Sequence, residues 1–240
     1  MRIAVISDIH SAYAPFAQAY SDARAAGFDQ MILLGDLFTY GVDPTRCAEL
    51  AAKAIAHDGA LLIGGNHDQL YVDLQNGNTA YFDRLPDWIK ESVSWTWDKL
   101  GMHWPDDLPI LEEWETGAIL MAHANPFGYG DWTYMSGETE LVRAAASCAA
   151  RGYRYGVFGH LHRSRYHADD KAEIHVIGSV GQPRASDDRC PQWAMIEYRN
   201  EKLTLSRHNI AFNATAHCAD IQRQPDLSPG TRNRLCGFFE

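Results

Sequence analysis

Apolar runs of four or five residues recur along the first part of the chain, separated by segments with helical features. The runs have the length and composition of buried strands. They cover Arg2 to Ile6, Met31 to Leu34 and Ala60 to Ile63. Helices are predicted between them over Pro15 to Ala26 and from Asp43 to about His57, each ended by a glycine. Asp43 is the expected N-cap of the second helix, with Pro44 at its first position. The alternation predicts a parallel sheet with right-handed crossovers.

This alternation stops between about residues 70 and 116. The segment is rich in Tyr, Phe and Trp, and we predict that it forms helices that cover one end of the sheet as a cap. Its rings suit either a substrate-binding wall or the ordinary packing of a core and lid, and packing is the more common use of such rings.

Strand and helix patterns resume after this segment. A strand is predicted over Ala118 to Met121 and a helix over Glu138 to Ala150. Four further short strands indicate a second, partly antiparallel sheet. They are Tyr155 to Phe158, Glu173 to Ile177, Trp193 to Tyr198 and Lys202 to Arg207. The weak hydrophobic pattern of residues 209–240 predicts a short helix and a tail. Because no long linker interrupts the chain, residues 1–240 are expected to form a single domain.

Polar side chains that bind metals or move protons follow five of the apolar runs. They are Asp8, His10, Asp36, Asn66, His67, Asp68, His123, His160 and His162. The carboxyl ends of neighbouring strands meet at one edge of an open α/β sheet, so these side chains are expected to converge there. The run that ends at Gly64-Gly65 is the clearest case, since three such side chains follow it directly.

The mixture of ligand types indicates the kind of metal. Imidazole nitrogens with carboxylate and amide oxygens suit Mn²⁺, Fe²⁺ or Fe³⁺, Zn²⁺, Co²⁺ and Ni²⁺ better than Ca²⁺. Four histidines and three oxygen ligands are too many for one tetrahedral ion. They fit two divalent ions that share a carboxylate. The five cysteines are scattered, without a C-x-x-C pair, and are expected to be reduced thiols of a cytosolic protein.

Composition and charge narrow the function classes. Hydrophobic residues make up 46% of the chain and charged residues 22%, and no apolar run approaches the ~20 residues that span a bilayer. The N-terminus lacks the apolar stretch of a signal peptide, which predicts a cytoplasmic location and no membrane partner. The formal net charge of −10 argues against a stable nucleic-acid partner. It does not argue against a small phosphate-ester substrate, because two bound cations would reverse the local field.

The motifs around these residues, taken in order, resemble the signature of calcineurin-like metallophosphoesterases. They are Asp8-x-His10, Gly35-Asp36, Gly65-Asn66-His67-Asp68, His123 after an apolar strand, and Gly159-His160-x-His162. Within that superfamily the chain is most similar to small prokaryotic single-domain phosphoesterases. The resemblance implies an α/β fold, a four-layer α-β-β-α sandwich of two mixed sheets. It also implies hydrolysis of phosphomonoesters or phosphodiesters, including those of nucleotides, by attack of a hydroxide that bridges two metal ions.

The resemblance implies a role for each matching residue. A first ion would be held by Asp8, His10, Asp36 and His162. A second ion would be held by Asp36, Asn66, His123 and His160, so that Asp36 bridges the two. His67 would be the non-ligand histidine beside the scissile phosphate, where a general acid is typically worth about 10² to 10⁴ in rate. Asp68 is expected either to orient His67 or to cap a helix.

Some positions depart from the family or stay open. Thr39 stands where protein phosphatases of the superfamily carry an aspartate, which argues against a dedicated Ser/Thr protein phosphatase. Gly178 to Gly181 is expected to be either a phosphate-contacting loop, through Ser179, or a tight turn. Arg184 is predicted to contact substrate, since a guanidinium fork suits anions. The alternative function is that of a non-catalytic scaffold or binding protein that has kept the fold.

Overall fold

The structure is a computed structural model that describes residues 1–184 and 190–239. This part of the chain contains eleven strands and seven α-helices. The strands are β1 (Arg2–Ile6), β2 (Gln30–Leu34), β3 (Leu61–Ile63), β4 (Ile110–Leu111), β5 (Glu113–Thr116), β6 (Ile119–Ala122), β7 (Tyr155–Phe158), β8 (Arg165–Ala168), β9 (Glu173–Val176), β10 (Gln192–Arg199) and β11 (Lys202–Asn209). The helices are α1 (Tyr13–Ala26), α2 (Pro44–Asp58), α3 (Asn66–Gln75), α4 (Asp87–Lys99), α5 (Glu138–Ala150), α6 (Ala214–Gln222) and α7 (Pro229–Cys236).

The first sheet has six strands in the order β11-β10-β1-β2-β3-β4. Strands β1 to β4 run parallel, and this confirms the parallel sheet predicted from the strand–helix alternation. β10 pairs antiparallel with β1, with Ile196 opposite Ile3, and β11 pairs with β10. The prediction that these last two strands belong to the second sheet is therefore wrong. Residues 193–196 of β10 are buried, as expected for a strand inside a sheet.

The second sheet has five strands in the order β5-β6-β7-β9-β8. Strands β6, β7 and β9 run parallel, while β5 and β8 pair antiparallel at the two edges. The predicted partly antiparallel character is confirmed. The two edge strands were not predicted, because their few apolar residues and mostly exposed or half-buried side chains leave little hydrophobic pattern in the sequence.

Three hydrophobic clusters divide the molecule into four layers. Between the sheets, the inward-facing residues of the first sheet pack against those of the second, among them Ile3, Val5, Ile32, Leu34, Ile119, Met121 and Val157. Ala4 and Ile6 of β1 point the other way, as successive strand residues do, and pack under α1 and α2. Helix α5 covers the outer face of the second sheet. The predicted α-β-β-α sandwich is confirmed.

The ends of the first two helices follow local sequence signals. Helices α1 and α2 end at Gly27 and Gly59, whose φ angles of 75° and 63° lie in the left-handed region that favours glycine. Pro44 occupies the first turn of α2, as predicted. Asp43 occupies the N-cap position, as predicted, but its side chain makes no capping hydrogen bond and instead lies 3.5 Å from Arg46.

The predicted aromatic cap contains α3 and α4 and then enters the short strands β4 and β5. Several of its rings pack inside the protein. The Tyr71 and Trp97 rings stack with centroids 5.5 Å apart, and Trp104 lies edge-on to Phe38 at 5.4 Å. Ordinary packing accounts for these rings, whereas Trp88 lines a cavity. The interpretation of residues 1–240 as a single domain stays a prediction.

Two helices, rather than the one predicted, follow β11. The Asn213 and Ser228 side chains cap α6 and α7 by accepting hydrogen bonds from backbone N–H groups three residues ahead. The Ser228 hydroxyl also donates to Glu91 of α4 at 2.7 Å, which fastens α7 to the body of the protein. Among the described residues, no helix combines the length and apolar content that crossing a bilayer requires.

Candidate metal centre

Six of the seven predicted metal ligands lie on loops that follow β1, β2, β6 and β7, while Asn66 begins α3 shortly after β3, and all seven are buried. Backbone hydrogen bonds join these loops to one another. The Asp8 N–H donates to Gly35 O at 3.0 Å, and the Gly159 N–H donates to His123 O at 2.7 Å. The loops therefore form one connected support for the ligand side chains, as expected for the carboxyl edges of neighbouring strands.

Five of these ligands have a left-handed backbone conformation. They are Asp8, His10, Asp36, His160 and His162, with φ between 47° and 64°. Such a conformation costs a non-glycine residue roughly 1–3 kcal/mol and persists mainly where surrounding structure enforces it, as at functional sites. The sharp turns bring side chains from short loops into one small volume.

Two motif glycines allow the close approach of these loops. A Cβ atom on Gly65 would lie 2.2 Å from Asp36 Oδ1, and a Cβ atom on Gly35 would lie 2.3 Å from His123 Nδ1. Gly35 also has a φ of 79°, which L side chains rarely adopt. Because Gly35 and Gly65 have no side chains, they leave room for His123 and Asp36, respectively.

Backbone carbonyls orient the four candidate histidine ligands. The contacts are His10 Nδ1 to Phe38 O (3.0 Å), His123 Nδ1 to Leu34 O (2.8 Å), His160 Nε2 to Trp132 O (3.0 Å) and His162 Nδ1 to Gln182 O (2.8 Å). A carbonyl oxygen can only accept, so each contacting ring nitrogen carries the proton. The other nitrogen of each ring keeps its lone pair for a metal, an arrangement common among metal-binding histidines.

In each of the two aspartates, one carboxylate oxygen accepts a hydrogen bond and the other faces histidine nitrogens. Asp8 Oδ2 accepts from the Ser7 hydroxyl at 2.6 Å, which leaves Oδ1 3.2 Å from His162 Nε2. Asp36 Oδ1 accepts from the His67 N–H at 2.9 Å. Asp36 Oδ2 then lies 3.6 Å from His10 Nε2 and 3.5 Å from His123 Nε2. Asp36 thus contacts a histidine from each of the two predicted ligand sets.

The ligand atoms form two groups that share Asp36. The first comprises Asp8, His10, Asp36 and His162, and the second comprises Asp36, His123 and His160; in each group the potential ligand atoms lie within 4.8 Å of one another. Asn66 Oδ1 is buried, while its Nδ2 donates to the Tyr81 hydroxyl at 3.0 Å. The amide oxygen of Asn66 is therefore available as a further ligand.

Unsatisfied polar atoms in this cluster fit bound cations. Asp8 Oδ1, Asn66 Oδ1 and His123 Nε2 are buried without a hydrogen-bond partner among the described residues. His10 Nε2 and His162 Nε2, which both carry lone pairs by the argument above, face each other at 3.1 Å. Two lone pairs at this distance repel, and an unpaired buried polar atom is costly. Divalent cations would satisfy all of these atoms, and the mixed N and O donor set suits transition metals.

The charges of the cluster also favour a cation. Burial alone raises the pKa of Asp8 and Asp36, but the neighbouring histidines hold the pKa of both carboxyls well below its usual range. Burial lowers the pKa of His123, but Asp36 and Asp8 outweigh it and raise that pKa to about 10. The carboxylates therefore draw positive charge into the centre. A metal ion bound there would displace the proton from His123.

His67 lies beside the ligand groups without belonging to either. Its ring is edge-on to that of His10, with centroids 5.4 Å apart, and its Nε2 lies 3.1 Å from the Tyr40 hydroxyl. Burial, followed by the charges of His162 and Arg184, lowers the pKa of His67 to about 4 although Asp36 opposes this shift. His67 therefore lies at the edge of the candidate metal centre, and its role beside the scissile phosphate stays a prediction.

Asp68 does not contact the His67 ring and braces the backbone instead. Its carboxylate accepts hydrogen bonds from Asp36 N (2.7 Å), Leu37 N (2.9 Å) and Gly65 N (2.9 Å). Burial and the Asp36 charge raise the pKa of Asp68 to about 7, against the effect of these donors. The interpretation that Asp68 orients His67 is wrong for this structure. Its capping bond to Gly65, at the start of α3, matches the alternative interpretation.

Ser179 is also turned toward the backbone. Its hydroxyl donates to Asp8 O at 2.9 Å and accepts from Gln182 N at 2.8 Å, and the residue is fully buried. The Gly181 N–H donates to Asp8 O as well. Residues 178–182 therefore support the Asp8 loop and His162, and the substrate contact of Ser179 stays a prediction. Arg184, two residues further on, lies beside a cavity.

We name this space the aromatic cavity. It has a volume of about 760 Å³ and is lined by Tyr40, Trp88, Ile89, Tyr134, Arg184, Gly230, Asn233, Arg234, Gly237 and Phe238. Tyr40 contacts His67, and the Tyr134 ring stacks on His160 with centroids 4.2 Å apart. The aromatic cavity therefore adjoins the candidate metal centre. Arg184 lines this cavity, and its contact with substrate stays a prediction.

Sequence reasoning missed Tyr40, Tyr81 and Tyr134 as neighbours of the site. Tyr40 lies four residues after Asp36, within the motif-bearing stretch Gly35 to Gly41, and a polar ring in that loop is the signal that could have identified it. Tyr81 and Tyr134 come from segments without a motif, and only the fold brings them to Asn66 and His160.

The comparisons with known proteins agree with this geometry. Residues 1–201 match the calcineurin-like phosphoesterase superfamily domain, and the chain belongs to this superfamily. A relative, an uncharacterized protein of Methanocaldococcus jannaschii, is 31% identical over 220 residues, which cover 85% of this chain and 86% of the relative. The predicted family membership is confirmed.

Solved structures share the fold over nearly the whole chain. A metallophosphoesterase from Sphaerobacter thermophilus has a TM-score of 0.74 at 22% identity and covers 99% of this chain and 100% of its own. A hypothetical protein from Pyrococcus horikoshii OT3 has a TM-score of 0.81 at 16% identity, covering 98% and 97% respectively. At these identities the likeness extends to the fold alone.

Proposed function

We propose that this protein is a metal-dependent phosphoesterase that hydrolyses phosphomonoesters or phosphodiesters at a centre of two divalent transition-metal ions. The observation that carries the proposal is the pair of buried ligand groups that share Asp36. Superfamily membership supports a phosphate-ester substrate. The first ion would be held by Asp8, His10, Asp36 and His162, and the second by Asp36, Asn66, His123 and His160.

Two bound cations would supply Lewis acidity toward the phosphoryl oxygens and lower the pKa of a bound water. The protein contributes the rest. Its carbonyl contacts fix the lone pairs of the histidines, and the burial of the ligands excludes competing water. His67 donates a hydrogen bond or a proton to the oxygen that leaves phosphorus. A negatively charged phosphate beside His67 favours the protonated ring, against the burial that lowers its pKa. A phosphomonoester and water thereby yield phosphate and an alcohol, whereas a phosphodiester and water yield a phosphomonoester and an alcohol.

The first test removes and restores the metal. Purified protein is stripped with a chelator, and hydrolysis of p-nitrophenyl phosphate and bis-p-nitrophenyl phosphate is followed by nitrophenol release. We expect no turnover above background in the stripped protein and recovery with Mn²⁺, Co²⁺, Ni²⁺ or Zn²⁺, because the donor set suits these ions. Metal analysis of the protein as purified identifies the ion or ions that it carries.

The alternative of a non-catalytic binding protein predicts a different outcome. Such a protein would bind metal yet leave both chromogenic substrates intact with every ion in the panel. Equal turnover before and after stripping would also contradict the proposal, since it would place the chemistry outside the metal centre. Circular dichroism of the stripped protein distinguishes loss of metal from loss of the fold.

Tyr40→Phe tests the positioning of His67. The substitution removes the hydroxyl 3.1 Å from His67 Nε2 and keeps the ring that packs against His10 and His67. We expect kcat to fall about tenfold, the equivalent of one lost hydrogen bond that orients the imidazole. KM should change little, because Tyr40 holds His67 rather than the substrate phosphate.

Tyr20→Phe is a matched control for this variant. It also deletes a phenol hydrogen bond, from Tyr20 on α1 to Asp58 at the end of α2, away from the metal centre. Its kcat should equal that of the wild type. If Tyr40→Phe instead loses bound metal, or lowers kcat no more than the control, Tyr40 does not position His67.

A further inference from the structure

The aromatic cavity has the properties of a site for the part of the substrate beyond the scissile phosphate. Its volume of about 760 Å³ falls in the usual range of ligand pockets, roughly 300–1,000 Å³. Four of its lining residues are aromatic, namely Tyr40, Trp88, Tyr134 and Phe238. Aromatic walls with a few polar groups are typical of pockets that bind flat organic ligands.

Much of this wall comes from outside the part of the chain that matches the superfamily. Gly230, Asn233 and Arg234 belong to α7, and Phe238 follows that helix. All lie after residue 201, where the superfamily match ends. Substrate selection by this wall would therefore depend on residues that follow the matched superfamily domain.

The charges of the aromatic cavity are opposite to those of the chain as a whole. Among the described residues that line it, Arg184 and Arg234 are cationic and none is acidic. Neither guanidinium forms an ion pair with a carboxylate in the described part of the chain, although the chain has a formal net charge of −10. Two cations without an ion-paired carboxylate among the described residues of an acidic protein favour an anionic occupant.

The two arginines lie at different depths relative to the metal centre. Arg184 is near the metal centre, since its backbone N–H donates to His162 O at 3.3 Å. Arg234 is further along a chain of ring contacts. Tyr40 contacts His67 at 4.9 Å between centroids, Trp88 stacks on Tyr40 at 5.7 Å, and the Arg234 guanidinium lies 5.4 Å from the Trp88 ring. Phe238 faces both Tyr40 and Trp88 at 6.3 Å.

The groups follow one another from the metal centre through the aromatic rings to a second cation. A ligand that fits them carries a phosphate, then a flat ring, then a second anionic group. We propose that the substrate is a nucleotide with a phosphate on each side of its nucleoside, such as a nucleoside 3′,5′-bisphosphate or a 5′-phosphorylated dinucleotide. One phosphate would lie at the metals near Arg184, the base would pack against Trp88 and Phe238, and the second phosphate would bind Arg234. The inference rests on the proposed function and specifies its substrate class.

The test compares three substrates. The first has one phosphate, the second adds the base, and the third adds the second phosphate. Protein loaded with Mn²⁺ is assayed for phosphate release from ribose 5-phosphate, adenosine 5′-monophosphate and adenosine 3′,5′-bisphosphate. We expect kcat/KM to rise in that order. Arg234→Gln should lower the preference for the bisphosphate over the monophosphate about tenfold, as expected for one lost charge-assisted hydrogen bond. Trp88→Leu should lower the preference for the monophosphate over ribose 5-phosphate.

Arg223→Gln is the matched control. Arg223 is exposed and directly follows α6. It pairs with Asp220 of that helix and does not line the aromatic cavity. Its variant should keep both wild-type preferences, and Arg234→Lys should keep part of the preference for the bisphosphate because it keeps the charge. Wild-type protein that does not distinguish the three substrates, or an Arg234→Gln variant with unaltered preferences, would overturn the assignment.

Binding measurements separate this inference from the proposed function. If no substrate is turned over, the proposed function fails, and calorimetric titration of the metal-loaded protein with the same three compounds still tests the aromatic cavity. Tighter binding of adenosine 3′,5′-bisphosphate than of the monophosphate, with the difference lost in Arg234→Gln, would support the cavity assignment. Equal binding in wild type and variant would reject it.

Discussion

Replacing Asp36 by asparagine is expected to lower the phosphoesterase rate by about 10³-fold or more, because several kcal/mol of metal-dependent stabilisation depend on this residue. Asp36 Oδ1 accepts the His67 N–H, while Oδ2 faces both His10 and His123. An asparagine must keep its oxygen toward that N–H donor, so its NH₂ group would point at the metals. A cation there would face the amide NH₂ group of asparagine instead of a carboxylate oxygen. Metal analysis should find at most one ion per chain.

Asp98→Asn provides the control for this substitution. Asp98 is exposed on α4, so the same loss of charge there should leave both the rate and the metal content at wild-type values. Thermal unfolding of both variants checks that the fold persists, as the nearly equal shapes of Asp and Asn lead us to expect. An Asp36→Asn protein that retains two ions and its full rate would show that this carboxylate is not shared between metals.

The sequence predicted the central strands and their polar ends well, for a local reason. The apolar runs in β1, β2 and β3 end directly at Asp8, Asp36 and Asn66, so strand and ligand are encoded by neighbouring residues. Once three parallel strands are expected, their carboxyl edges must meet. The two ligand groups around Asp36 contain six of the seven predicted ligands, and Asn66 belongs to neither group. The roles of these residues in binding and catalysis stay predictions.

Long-range partners could not be predicted in the same way. Strand β10 joins the first sheet because its backbone pairs with β1, about 190 residues earlier, and nothing within β10 itself encodes that partner. The edge strand β8 is largely exposed and has no apolar pattern to reveal it. The contact of Tyr40 with His67 depends on a left-handed turn, with a Tyr40 φ of 69°, that propensity does not predict.

His67→Ala is expected to lower kcat by about 10² to 10⁴, the usual contribution of a general acid, while leaving the metal content unchanged. The metal should remain because His67 belongs to neither ligand group, and its backbone N–H can still donate to Asp36. His57→Ala is the control, since His57 is exposed near the end of α2. Activity and bound metal are measured on the same samples, so that loss of an ion is not mistaken for loss of an acid.

The leaving group distinguishes proton donation by His67 from simple phosphate binding. An alkyl alcohol needs a proton as its bond to phosphorus breaks, whereas nitrophenolate is stable as an anion. If His67 acts as a general acid, His67→Ala should therefore slow an alkyl phosphate much more than p-nitrophenyl phosphate. An equal loss for both esters would mean that His67 only steadies the phosphoryl oxygens. The same comparison in Tyr40→Phe should give a smaller effect in the same direction, because its hydroxyl acts through the His67 ring.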